Sequence, residues 1–122
     1  MENNLFVDTN VLIHLLDGNN SALNLLQDKI IHVSFVTEME LLSRKLITKK
    51  EIGIINTLLD SCKIYELNES IKLQAIIFMR NNRFKLPDAV IAATASYYEI
   101  QLITGDTKFK NITGCTIIKY KQ

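Results

Sequence analysis

Apolar residues alternate between two periods along this chain, short continuous runs and helical stripes. Leu5, Phe6 and Val7 form a run that stops at an acid, Asp8, and Val11, Leu12, Leu15 and Leu16 then recur at helical spacing. The pattern predicts a buried strand, a carboxylate at its end, and a helix leading away. It repeats down the chain. Ser21 is placed to cap a short helix carrying Leu23, Leu25 and Leu26. A β-branched run over 30–35 predicts the second strand, and Thr37 opens a helix with Met39, Leu41, Leu42 and Leu46 as its apolar positions. Thr48 and Glu51 have the spacing of a capping box ahead of Ile52, Ile55, Leu58 and Leu59. A third strand is predicted over 63–67, followed by a helix that Asn68 caps, running to about residue 81, with Ile71, Ala75, Ile76, Phe78 and Met79 apolar. Pro87 suits the first turn of an Ala-rich helix, because no helical partner is lost with its N–H. Strands over 101–104 and 116–120 complete the pattern.

Strands alternating with helices predict an α/β fold, a three-layer α/β/α sandwich around a mainly parallel, twisted sheet. The 122 residues fit a single domain over 1–122. A net charge of +1 argues against a protein that coats nucleic acid, so an anionic substrate would be gripped locally. The apolar runs are too short to span a bilayer, and the first residues lack the pattern of a secretory leader, which together predict a cytoplasmic protein. Cys62 and Cys115 lie far apart and read as packed thiols rather than as a disulfide.

Four of the thirteen acids stand apart from those that a solvated helix face or turn explains. Asp8 ends the first strand, Glu40 lies on the helix after the second, Asp88 opens the Ala-rich helix, and Asp106 follows the fourth strand. Each has a structural explanation. Asp8 is a favoured helix cap, and Thr37 with Glu40 has the spacing of a capping box. Asp88 suits the positive end of a helix dipole, and Asp106 suits a Gly-containing turn. Their common placement, at one end of successive parallel strands, points instead to convergence on one site. Two carboxylates about 5 Å apart repel by roughly 3 kcal/mol at an effective dielectric of about 20. Such a cluster calls for protonation or a bridging cation. An all-oxygen set with no nearby His or Cys selects Mg²⁺ or Mn²⁺, a chemistry suited to phosphodiester hydrolysis. His14 and His32 are isolated and have no metal-ligand spacing.

The stretches Val7-Asp8-Thr9-Asn10-Val11-Leu12, Val36-Thr37-Glu38-Met39-Glu40-Leu41-Leu42, Leu86-Pro87-Asp88-Ala89-Val90-Ile91-Ala92-Ala93-Thr94-Ala95 and Leu102-Ile103-Thr104-Gly105-Asp106-Thr107-Lys108-Phe109 resemble PIN-domain ribonucleases, in particular VapC-type toxins of toxin–antitoxin pairs. The resemblance implies a metal-dependent endoribonuclease. Asp8, Glu40, Asp88 and Asp106 occupy the family's acidic, metal-holding positions, with Glu40 preferred over Glu38 for its Glu-Leu-Leu context. Asn10 and Thr104 match supporting polar positions, and Thr9 is given no direct role. The resemblance further implies cleavage to a 5′-phosphate and a 3′-hydroxyl, a homodimer, and a small antitoxin that blocks the acidic groove. Many relatives carry an acid where this chain has Lys108, which puts a second metal site in doubt. Arg80, Arg83, Lys85, Lys108 and Lys110 flank the acids and are candidate contacts to RNA phosphates. The Leu- and Ile-rich helices between Ser21 and Cys62 are candidates for an antitoxin groove.

Two other readings share the pattern. A PIN-like module that binds RNA or protein without cutting has the same acids. A phosphoacceptor receiver domain also alternates β and α and binds Mg²⁺ at strand ends. It needs paired acids after the first strand, where this chain has Asp8-Thr9, and an Asp ending the central strand, where this chain has Tyr65-Glu66-Leu67.

Overall fold

The computed structural model describes residues 3–109 and 116–120. The order is β1 (Asn4–Val7), α1 (Thr9–Leu16), α2 (Asn20–Leu26), β2 (Ile30–Ser34), α3 (Phe35–Leu42), α4 (Lys49–Asp60), β3 (Lys63–Tyr65), α5 (Glu69–Asn82), α6 (Leu86–Tyr97), β4 (Leu102–Thr104), a 3₁₀ turn (Thr107–Phe109) and β5 (Ile117–Lys119). Every strand pairing is parallel, in the order β3-β2-β1-β4-β5. The chain leaves β1 for β2 on one side and returns on the other as β4. The topological switch point therefore lies between β1 and β4, where α/β sheets hold their ligands. A receiver-type domain sets β1 beside β3, so this strand order departs from that reading.

Alternation along β1 divides the core in two. Leu5 and Val7 face a layer made by Val11 and Leu12 of α1, Leu26 of α2, Leu41 of α3 and Ile55 of α4. Phe6 faces the opposite layer, built from α5 and the run of small residues in α6, with Phe84 and Phe109. The result is the three-layer sandwich. Helix α6 buries seven consecutive residues, from Ala89 to Ala95, because it is covered by the sheet on one side and by α5 on the other.

Several boundaries differ from those the pattern predicts. Strand β2 ends at Ser34, whose hydroxyl accepts the Val36 N–H and starts α3 at Phe35. Thr37 therefore lies inside the helix and is fully buried. The capping box that Thr37 and Glu40 suggest does not form, whereas the one at Thr48 and Glu51 does. Asn19, rather than Ser21, caps α2 through Oδ1 to the Ala22 N–H. Strand β3 stops at Tyr65. Ile76 and Met79 of α5 are exposed, since the helix uses the 71, 75 and 78 stripe against the core. Leu46 lies beyond α3 and is solvent-exposed. His32 is buried but hydrogen-bonded at both ring nitrogens, to Tyr65 and Asn4, which accounts for it structurally. Cys62 is a free, partly buried thiol, and Cys115 lies outside the described residues. Among the described residues no helix is long and apolar enough to cross a membrane.

Candidate active site at the ends of β1 and β4

Asp8 sits one residue past β1, in extended backbone, at the N-cap of α1. Its side chain makes no capping bond, so capping does not explain it. It is 6% exposed and instead accepts a hydrogen bond from Thr104 Oγ1 at 2.7 Å. Thr104, the last residue of β4, is buried and has a second task. Its oxygen accepts the Asp106 N–H at 3.0 Å, which fixes the turn that carries Asp106. Gly105, between them, passes close to the Tyr120 carbonyl; a Cβ there would lie 3.2 Å from that oxygen. A side chain at this position would press the end of β4 away from the end of β5, where Tyr120 N–H bonds the Thr104 carbonyl at 2.7 Å.

Asp88 enters from the first turn of α6. Lys108 joins it to Asp106: one ammonium lies 2.7 Å from Asp88 Oδ2 and 3.2 Å from Asp106 Oδ2. The Lys108 backbone N–H also donates to Asp106 Oδ1 at 3.0 Å. Asp8, Thr104, Asp106, Lys108 and Asp88 thus form one continuous chain of polar contacts across the switch point. Burial pushes the Asp8 carboxyl above its ordinary range; the Thr104 hydroxyl opposes this, and the Asp88 and Asp106 charges add to it. Lys108 is held above its ordinary value, first by its bond to Asp88 and against a desolvation cost, with Asp106 adding to the effect.

Glu40 enters the site differently. Thr9, the first residue of α1, donates its hydroxyl to Glu40 Oε1 at 2.6 Å. A hydroxyl has one proton, so at the 2.9 Å contact between Thr9 and Thr37 the Thr37 hydroxyl is the donor. Buried Thr37 and Thr9 therefore aim Glu40 from α3 toward the residue next to Asp8. The sequence pattern assigns Thr9 no direct role and puts a helix start at Thr37, whereas the structure joins both hydroxyls to Glu40. The available signal was the polarity of two threonines inside otherwise apolar segments.

Asn10 is exposed and lines a cleft of about 420 Å³ with Asp8, Asp106, His14 and Tyr120. His14 Nδ1 is buried without a hydrogen-bond partner among the described residues, and its ring lies 5.6 Å from that of Tyr120. Arg80, Arg83 and Lys85 are exposed on the stretch from the end of α5 to the cap of α6, leading to Asp88. Lys110 lies outside the described residues. On the other side of Glu40, Val36, Met39, Leu67, Leu86 and Val90 line an apolar groove between α3 and the start of α6. This groove is built from one of the helices between Ser21 and Cys62 together with α6, not from that helical region alone.

The donor set is all oxygen, and the pit already draws a cation, the Lys108 ammonium, onto two of its carboxylates. Both features fit a hard divalent ion. Among the described residues no three His, Cys, Asp or Glu side chains are grouped as a complete metal cage.

A parallel α/β sandwich with carboxylates gathered at its switch point defines the class of protein. The PIN-domain family model matches residues 5–114, and the chain belongs to that family. Its fold is close to that of a chain in a toxin–antitoxin complex from Klebsiella pneumoniae (27% identity, TM-score 0.82, covering 94% of this chain and 96% of that one). It is similarly close to a chain of VapBC2 from Rickettsia felis, bound there to a promoter DNA fragment (16% identity, TM-score 0.83, 97% and 99% covered). A chain of VapBC-1 from nontypeable Haemophilus influenzae gives 23% identity and a TM-score of 0.77, with 95% and 97% covered. Comparison with curated proteins gives no match.

Proposed function

We propose that this chain is a divalent-metal-dependent endoribonuclease and the toxin of a toxin–antitoxin pair. The observation that carries the reading is the linked set Asp8, Asp88 and Asp106 at the switch point, with Asp8 desolvated and electrostatically coupled to the other two. PIN-family membership and the likeness to toxin–antitoxin complexes support it. Asp8, Asp88 and Asp106 are the residues that would hold Mg²⁺ or Mn²⁺. Bound there, the ion would neutralise the scissile phosphate, lower the pKa of the attacking water and stabilise the leaving oxygen.

The protein's own groups supply the rest. Thr104 keeps Asp8 turned to the pit, and its buried hydroxyl favours the charged carboxylate. Glu40, held by Thr9, would ligate the ion or help orient the water that attacks phosphorus. The water oxygen would bond to phosphorus as the P–O3′ bond breaks, and the leaving O3′ would take a proton from solvent, giving a 5′-phosphate and a 3′-hydroxyl. Asn10 and the cleft beside Asp8 offer space and polar contact to the adjoining nucleotide. Arg80, Arg83 and Lys85 would grip the RNA backbone as point charges. The apolar groove beside Glu40 supports a small antitoxin whose segment covers the acids, and the family resemblance supports a homodimer.

RNA incubated with the protein and Mn²⁺ should be cut, with cleavage abolished by chelator and by Asp8→Asn. Cleavage that persists in EDTA, or in the Asp8→Asn protein, overturns the reading. A domain that binds RNA without cutting draws support from Lys108, whose ammonium occupies two of the acids. Retention of RNA with no cleavage at any Mn²⁺ concentration selects that second reading.

A further inference from the structure

The geometry points to Lys108 as a resident cation of the acidic pit: its ammonium fills the place between Asp88 and Asp106 that a second divalent ion would neutralise, so the site takes one ion only. This rests on the metal-dependent reading above. Three observations carry it. The ammonium contacts both carboxylates at once, through a short charge-assisted bond of 2.7 Å to Asp88 and an ion pair of 3.2 Å to Asp106. The lysine does not reach in from a loose loop. It stands in the 3₁₀ turn Thr107–Phe109, and Phe109 is fully buried, with its ring 5.0 Å from that of Phe84. Its backbone N–H also bonds the acid that its side chain pairs with, so the cation and its partner are held by the same turn.

Charge balance gives the same answer. Lys108 cancels one of the two negative charges that Asp88 and Asp106 bring when ionised, so that pair no longer carries the charge a divalent ion of its own would balance. A second ion would have to displace the ammonium from both carboxylates and meet its repulsion. The ammonium is a fixed charge held against two of the pit's carboxylates.

Calorimetric titration of the full chain with Mn²⁺, without RNA, tests this directly. The wild type should bind one ion. Lys108→Arg should also bind one. Lys108→Ala should bind its first ion about tenfold more tightly, because the competing charge is gone. Lys108→Asp should bind two. The Lys108 side chain is 41% exposed, so these variants are expected to fold. Two ions on the wild type, or identical titrations for all four proteins, overturn the inference while leaving the nuclease reading intact. No Mn²⁺ uptake by any of them overturns the metal-dependent reading itself.

Discussion

Thr104 Oγ1 and Asp8 Oδ2 are 2.7 Å apart although 96 residues separate them in the chain. The contact exists because β1 and β4 are parallel neighbours, pairing Phe6 with Leu102 and Val7 with Ile103, so their carboxyl ends finish side by side. Replacing Thr104 with Val keeps the shape and removes the hydroxyl. Hydrogen bonds to charged groups are worth about 1.5–3 kcal/mol, and urea denaturation at neutral pH should show a loss of that order. The loss should shrink in acid, where Asp8 is protonated. In a cleavage assay the acidic limb of the pH profile should move to higher pH, because Asp8 has lost the group that favours its charge.

Asp8 itself should destabilise the metal-free fold at neutral pH. Its folded-state pKa lies above the ordinary value of 3.8, with burial as the leading cause. The folded state therefore binds the proton more tightly than the unfolded chain. The stability tied to protonated Asp8 is complete below the unfolded pKa and is lost as pH rises through the folded pKa. Asp8→Asn removes the charge and still offers an oxygen to Thr104. In EDTA at pH 7 this variant should melt higher than the wild type, while its cleavage is abolished. An Asp8→Asn protein that melts lower would mean that the carboxylate is not penalised by its surroundings.

Thr9→Val should act on turnover and not on RNA binding. It deletes the donor that holds Glu40 at 2.6 Å and leaves Asp8 in place. If Glu40 serves the reaction as proposed, loss of its positioning is expected to lower kcat by about tenfold to a hundredfold with KM little changed. Thr9→Ser keeps the hydroxyl and should recover most of the rate. Wild-type turnover in Thr9→Val with a defect in Thr9→Ser would show that the Thr9 methyl, not its proton, is what matters.

The sandwich was legible because its signals are local: apolar runs bounded by turns, and small residues where α6 is covered on both sides. The capping box at Thr48 was legible for the same reason, since all its bonds lie within four residues. The similar spacing at Thr37 and Glu40 misled. Ser34 captured the helix start, and Thr37 was drawn to Thr9, 28 residues away, by a tertiary contact that no local pattern encodes. Four acids could be named as candidates from their positions after strands. That a lysine would bridge two of them depends on the path of the 3₁₀ turn, and the anchor of that turn, Phe109, packs against the distant Phe84.

Thr48→Ala provides a control remote from the acids. It removes the hydroxyl that accepts the Glu51 N–H and half of the capping box. Such a cap is typically worth about 1 kcal/mol. Denaturation should register that loss, while cleavage of RNA and Mn²⁺ uptake stay at wild-type levels. A fall in activity would tie α4 to the site in a way its contacts do not suggest.

Added Mn²⁺ should raise the melting temperature, because an ion held by the folded pit has no such site in the unfolded chain. At a hundred times Kd, binding adds about 2.7 kcal/mol, which for a domain of this length corresponds to a rise of about 10 °C. The shift should vanish in EDTA and be largely lost in Asp8→Asn. It should also weaken below neutral pH, since the raised pKa of Asp8 makes protons compete with the ion for the same carboxylate. A melting temperature indifferent to Mn²⁺ at pH 7.5, in protein that otherwise unfolds cooperatively, would mean that the linked carboxylates do not act as a metal site, and the hydrolytic chemistry built on them would fall with it.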